Sequence, residues 1–384
     1  MPDHSNAAFT ARILDGAAAL DAEQWNRLAD TGNPFLMHGF ISALEESGSA
    51  AAKTGWQPFH IALFDADERL IGLMPAYLKG HSYGEYVFDH GWAAAYERAG
   101  GRYYPKLQSC VPFSPVTGAR LLATTAEAAS GLVEAAKAVV TQHRLSGLHV
   151  TFAPESELPV YQAQDMLIRT DQQFHWCNQG YRDFDDFLDG FASRKRKAVR
   201  KERRAALESG LEIMQLSGAD LTEAAWDSFY AFYMDTAGRK WGRPYLNRRF
   251  FSLLGERMAD HVVLMLAMRD GRAVAGALNL RGADALYGRY WGAVEHHPFL
   301  HFELCYYQAI DYAIAHGLQR VEAGAQGEHK LARGYVPVKT YSAHWLRDPG
   351  FQDAVARFLD AERREVDAVI NYLGNAAPFK KSGR

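Results

Sequence analysis

One pattern is written twice along this chain. Residues 59–78, FHIALFDADERLIGLMPAYL, give an apolar run, a charged turn at Asp65 to Arg69, and a second apolar run opening with Ile71 and Gly72. Residues 262–280, VVLMLAMRDGRAVAGALNL, repeat it, with the turn at Arg269 to Arg272 and the matching glycine at Gly276. Short apolar runs on either side of a polar turn predict paired antiparallel strands. Downstream of each hairpin, residues 131–145 and 303–316 carry apolar side chains at helical spacing. Each of these helices is expected to end at the glycine that follows it, Gly147 or Gly317, in the left-handed C-cap position. A short strand comes next in both, LHVTFAP from Leu148 and LQRVEAG from Leu318. Both halves read hairpin, further strand, helix, strand.

A chain of 384 residues exceeds the size at which a single core usually stops growing, so two domains are expected, with the junction near residues 176–182. We place them at 1–178 and 179–384. The expected fold class is α/β with a mixed sheet, each half a mostly antiparallel central sheet flanked by helices. Past the junction, residues 183–207 read DFDDFLDGFASRKRKAVRKERRAAL. Phe184, Phe187, Leu188 and Phe191 recur at helical spacing, which predicts one helix, ended near Gly190 and Ser193 before a second, basic helix over 194–207. Residues 351–372 are again helical in period, and the tail APFKKSGR is expected to fray.

Composition excludes several classes. A net charge of -3 gives no global attraction to nucleic acid or membrane, so any polyanion site must be local, and DNA is not an expected partner. Three scattered cysteines, Cys110, Cys177 and Cys305, offer neither a disulfide framework nor a CxxC signature and fit a reducing cytoplasm. The start MPDHSNAAFTARIL lacks a basic segment followed by an apolar one, and no run is long enough to span a bilayer. A cytoplasmic protein, neither exported nor inserted in a membrane, is expected. No GxSxG elbow, Walker loop or GxGxxG follows a strand, which leaves hydrolase, NTPase and dinucleotide readings without support.

The segment EAGAQGEHKLARG from Glu322 to Gly334, followed by VPVKTYSAHWL, resembles the signature of the FemAB-like peptidoglycan biosynthesis/recognition family. NPFLMHGFISALEESG, FDHGWAAAYERAGGRYYPKLQSCVPFSPVTGARLL and HFELCYYQAIDYAI extend the resemblance over nearly the whole chain. It implies a tandem pair of GNAT-like domains, the order of elements already read above. It also implies kinship with Fem-type aminoacyl transferases, which use aminoacyl-tRNA to extend peptidoglycan peptides. A GNAT enzyme using acetyl-CoA carries an R/Q-x-x-G-x-G/A loop before its central helix, where backbone N–H groups cradle pyrophosphate. Here that stretch is YWGAVEHHPFLHFEL, without those glycines, so CoA is in doubt as donor while a Fem-type donor stays compatible. No cofactor is certain. The donors to consider are aminoacyl-tRNA and acyl-CoA, and the acceptor is a small-molecule or peptide amine.

Acyl transfer to an amine needs a proton acceptor and a positive group facing the oxyanion. Glu322, Glu328, His329, Lys330 and Arg333 offer both within one glycine-rich segment. Lys330 is read as the oxyanion or phosphate contact, Glu328 or His329 as the proton acceptor, Glu322 as the group that orients them, and Arg333 as a substrate contact; solvated loop charges are the alternative. In the basic run, Arg196, Lys197 and Arg200 are candidate contacts to tRNA phosphates, a nucleotide-linked precursor or CoA, against a merely solvated helix. Its positive charge nearly encircles the helix, although the acidic DFDD before it offers partial neutralisation. Trp92, Tyr103, Tyr104 and Lys106 belong to a Tyr, Trp and Pro-rich stretch that reads either as a substrate-binding wall or as a packed loop. Tyr290 and His301 are further substrate candidates. His296, His297, His301 and Glu303 lack any metal-ligand spacing, so no metal is assigned.

The leading expectation is an N-acyltransferase of Fem type working in a cleft between two lobes, with a peptidoglycan precursor as one possible acceptor. A non-catalytic module recognising a cell-wall precursor or RNA, and a CoA-dependent N-acetyltransferase, are the alternatives.

Overall fold

The computed structural model describes residues 9–29, 32–208, 210–240, 244–324 and 327–380. They form two compact units, 1–171 with 340–366 and 172–339 with 367–384. The division is not a single cut, because the chain leaves the first unit within one strand and returns to it at Thr340 within another.

In the first unit the strands are β1 (Thr10–Leu14), β2 (Trp56–Pro58), β3 (His60–Phe64), β4 (Leu70–Met74), β5 (Tyr77–Lys79), β6 (Lys106–Ser109), β7 (Leu122–Ala123) and β8 (Gly147–Ala153). The expected hairpin is β3 and β4, antiparallel, with Ile61 opposite Met74 and Leu63 opposite Gly72. Its turn is fastened by the Asp65 carboxylate, which accepts from the backbone N–H of Asp67 and Arg69. This hairpin sits in a sheet of its own, ordered β1-β3-β4-β7. The other strands of the unit run in the order β8, β6, β5, β2, and residues 341–346 of the strand Val336–Leu346 pair antiparallel with the outer side of β8. β6 and β8 are parallel, and the helix Ala126–Gln142 lies between them in sequence, as a parallel crossover requires. Leu132, Val133, Ala136 and Val140 of that helix are buried with Ile61, Leu63 and Met74. The glycine expected to cap it does not: Arg144 takes the left-handed conformation, at φ 54°, while Gly147 opens β8. A Cβ on Gly147 would collide with the Trp345 carbonyl, so that glycine serves close strand packing rather than a cap.

The second unit continues with β9 (Leu167–Cys177), whose residues from Gln172 onward belong to it, then β10 (Glu212–Leu216), β11 (Val262–Arg269), β12 (Arg272–Arg281), β13 (Ala285–Ala293), β14 (Arg320–Glu322) and β15 (Val336–Leu346). The sheet order is β10-β11-β12-β13-β14-β9. Every pair is antiparallel except β13 with β14. Here the hairpin β11–β12 and the strands β13 and β14 on either side of the crossover helix share one sheet, unlike the first unit. The crossover is not a plain α-helix: Leu300–Phe302 leads into a π-helical turn, Glu303–Tyr307, before the α-helix Gln308–Ala315, and Gly317 then takes the left-handed position as expected. Met265, Ala277, Leu304, Tyr307, Ile310 and Val321 form the core.

The helices Phe184–Asp189 and Ser193–Leu207 fall where the sequence placed them. The tail is a correction. Phe379 bridges Phe191 in antiparallel fashion, Ala192 N–H donates to the Pro378 carbonyl and Lys380 N–H to Gly190. The apolar Phe379 ring packs on Phe187 and Phe191, and that burial outweighs the fraying expected of a charged end; the last residues, 381–384, lie outside the described residues. Among the described residues no helix is long and apolar enough to cross a membrane.

Candidate functional site

The parallel strands β13 and β14 pair only from Ala285 with Arg320 to Tyr287 with Glu322. β13 then runs on to Ala293 while β14 stops, so the two part and leave a gap beside the sheet. A cavity of about 100 Å³ lies there, lined by Asn279 and Leu278 of β12, Gly288, Arg289, Tyr290 and Trp291 of β13, Ala323, and His301, Cys305 and Tyr306 from the crossover helix. The π-helical turn carries Cys305 and Tyr306; such turns are frequent at functional sites.

At the end of β14, Glu322 is buried and receives two guanidinium groups, Arg320 at 3.1 Å and Arg289 at 3.4 Å. Arg289 also donates from Nη1 to the carbonyls of Gly288 and Glu322. The segment after β14 turns through Gly324, at φ 80°, and re-enters as the short helix Glu328–Arg333. Lys330 in that helix is 2 % exposed, and its Nζ donates to the Gly324 carbonyl at 2.9 Å. Burial, reinforced by the positive charge of Arg289, lowers its pKa to about 7. An ammonium that loses its proton near neutrality suits proton transfer.

The neighbours expected to join Lys330 are placed as follows. His329 is exposed, its Nε2 2.8 Å from the Tyr306 hydroxyl. Arg333 is buried; it donates to the His329 carbonyl and to Glu202, and its Cζ lies over Phe302, 3.4 Å from the ring centroid. Glu328 opens the short helix, and its side chain lies outside the described residues. Tyr290 and His301 both line the cavity. Sequence reasoning missed Arg289 and Asn279. The signal available was a lone polar residue in each of two otherwise apolar or aromatic strands, GALNL and YGRYWG.

On the basic helix the ring of positive charge is broken on one side. Arg196 pairs with Asp189 and Arg200 with Asp185, each at 2.8 Å, while Arg203 reaches Glu303 and Asp311. Acidic side chains of the preceding helix and of the crossover helix neutralise that face. Arg194, Lys195, Lys197, Lys201 and Arg204 stay exposed and form no ion pair among the described residues.

The remaining candidates lie in the first unit, where the structure describes a packed stretch. Trp92 belongs to the helix His90–Arg98 and Lys106 to β6, and Tyr103 and Lys106 are 0 % exposed. Lys106 Nζ donates to Ser82 at 3.0 Å, Glu85 at 2.7 Å and Asp89 at 2.5 Å; Tyr103 donates to the same Asp89 oxygen, and Tyr104 bonds Ser82 at 2.8 Å. Trp92 packs its edge against His344, whose Nδ1 lies 2.9 Å from His149 Nδ1. Three acceptors around one ammonium draw this stretch inward, because a buried lysine is tolerated only when compensated. No group of ligands able to hold a metal occurs among the described residues.

This mixed α/β architecture is shared with FemX, which aligns over 88% of this chain and 98% of its own at 12% identity and a TM-score of 0.54. The C-terminal domain of a putative lysylphosphatidylglycerol synthetase from Agrobacterium fabrum aligns over 90% of this chain and 97% of its own, at 7% identity and a TM-score of 0.53. L-PGS from Bacillus licheniformis aligns over 86% and 98%, at 10% identity and a TM-score of 0.51. At such identities the likeness is one of fold. The model of the FemAB-like family, described as peptidoglycan biosynthesis/recognition, matches residues 16–381, and the chain belongs to that family. No curated protein matches the sequence.

Proposed function

We propose that the chain is an N-acyltransferase of Fem type that passes an aminoacyl or acyl group to an amine acceptor, with Lys330 at the reacting centre. The observation that carries this reading is the buried Lys330, brought to a pKa of about 7 beside Arg289 where β13 and β14 part. Neutral Lys330 takes the proton of the acceptor ammonium, and the freed amine attacks the donor carbonyl. A C–N bond forms while protonated Lys330 and Arg289 supply positive charge for the oxyanion; the bond to the leaving group then breaks, and that group departs with the second proton shed by the attacking nitrogen. This shifts Lys330 from pure oxyanion contact to proton acceptor, a role for which exposed His329 is less suited.

The donor most compatible with the site is an aminoacyl ester of tRNA. The helix after β13 begins at Phe299, in the left-handed conformation at φ 62°, without the glycine loop that cradles pyrophosphate. The exposed face of the basic helix provides five cations for a phosphate backbone. A peptidoglycan precursor is the acceptor class that the family description favours.

The test is a transfer assay with aminoacyl-tRNA and with acyl-CoA against a panel of amino acids, peptides and amino sugars. Lys330→Ala should keep its fold and lose transfer by about a hundredfold or more. The wild-type rate should rise with pH through about 7, the value to which burial brings Lys330. Undiminished turnover in the variant would remove Lys330 from the chemistry; ligand binding without transfer across all donors would favour a recognition module instead.

A further inference from the structure

Asn279 lies in β12, where the register with β13 shifts between Leu278 and Asn279. It is 1 % exposed, and its two amide hydrogens are accounted for: Nδ2 donates to the Val263 carbonyl at 3.2 Å and to the Ala277 carbonyl at 3.3 Å. Those two bonds settle which end of the amide is which, because a flipped amide would set oxygen against two carbonyls. Oδ1 therefore points away from both, and among the described residues it has no hydrogen-bond partner. A buried acceptor left without a donor is costly, so a lone oxygen in a cavity wall is a place where a ligand N–H or O–H would be stabilised.

No side chain stands over that oxygen from the facing residue. The residue opposite Asn279 is Gly288, and a Cβ built there would stand 3.2 Å from Oδ1. Both residues line the cavity that also receives Arg289, Tyr290, Cys305 and Tyr306. A register shift re-aims a strand side chain, and a glycine opposite leaves its tip open.

We infer that Asn279 Oδ1 receives an N–H of a primary amine, and that the cavity beside Gly288 is the seat of the acceptor nitrogen. This rests on the transfer reading for its role, though the binding it requires can be observed without transfer. An attacking amine acquires positive charge as the C–N bond forms, and its remaining N–H groups become stronger donors. An amide oxygen accepts from them and, unlike a carboxylate, does not hold the amine protonated before attack. It also favours a primary amine over its N,N-dimethyl counterpart, which as a neutral nucleophile has no N–H to donate.

The experiment uses as probes glycinamide and its analogue dimethylated at the amino nitrogen, whose carboxamide N–H groups are common to both, with equilibrium binding to wild-type protein at pH 9, where both amines are largely neutral. Wild type should prefer glycinamide by about tenfold. Gly288→Ala adds one methyl group against Oδ1 and leaves the bonds of Asn279 in place; it should remove that preference with its thermal unfolding close to wild type. Asn279→Leu should remove it as well, whatever its own stability. An equal preference in Gly288→Ala and wild type, or no binding of glycinamide to wild type, would overturn the inference and mark Oδ1 as a water site. If the preference is present but no donor supports transfer, the acyltransferase reading fails while the amine site stands.

Discussion

The guanidinium of Arg203 grips the carboxylate of Glu303 with two nitrogens, Nη2 3.0 Å from Oε1 and Nε 3.2 Å from Oε2. Glu303 is the wholly buried first residue of the π-helical turn, so this fork fastens the basic helix to the element that carries Cys305 and Tyr306. Burial pushes the Glu303 carboxyl upward in pKa, and Arg203 opposes it. Removing one partner leaves a buried charge uncompensated, so Arg203→Met should cost about 3 kcal/mol in urea unfolding. Arg203→Met with Glu303→Leu should recover much of that loss. A double variant no more stable than the single one would show that the pair is not coupled.

Lys330 makes stability depend on pH in a direction that can be worked out. Its pKa is about 7 when folded, against the ordinary lysine value of 10.5. Between those values the unfolded chain binds more protons than the folded one, so stability rises with pH through that window; below about 7 the full burial cost is present. From pH 7 to 10 wild type should gain about 3 kcal/mol relative to Lys330→Met. Lys79 in the first unit is brought to about 7 by burial in the same way, and its methionine variant serves as an independent copy of the measurement. Parallel pH profiles for wild type and Lys330→Met would contradict the assignment.

Phe379 fixes the end of the chain. Its ring lies 5.2 Å from Phe191 and 6.4 Å from Phe187, both buried. Phe379→Ala should lower stability by about 2 kcal/mol, and backbone amides around Gly190 and Ala192 should exchange faster with solvent. Unchanged unfolding and exchange would return the tail to the frayed state expected from its charges.

Much of this molecule was legible before any coordinates. The hairpins at residues 59–78 and 262–280 rest on apolar periodicity and turn chemistry, which act over a few residues, and both form as read. The helix pair around Gly190 and the left-handed Gly317 are local in the same way. Gly147 misled because a glycine after a helix satisfies two demands, a C-cap or a close strand approach, and only the presence of Trp345 opposite it chooses the second. Lys106 left two readings open, since a lysine among tyrosines suits a binding wall or a packed stretch, and it is the convergence of Ser82, Glu85 and Asp89 on it that describes a packed one.

What the order of residues determined alone is the kind of element at each place, the family, and the glycine-rich segment that carries Lys330. Periodicity and turn preference are properties of neighbours along the chain. Tertiary structure decided which charges are matched, which polar atoms are left open, and what pKa a lysine has. Those depend on partners such as Arg203 and Glu303 or Lys330 and Arg289, far apart in sequence and joined only when the strands and helices pack. Electrostatic energy and desolvation follow distance in space, and no spacing along the chain encodes that distance directly.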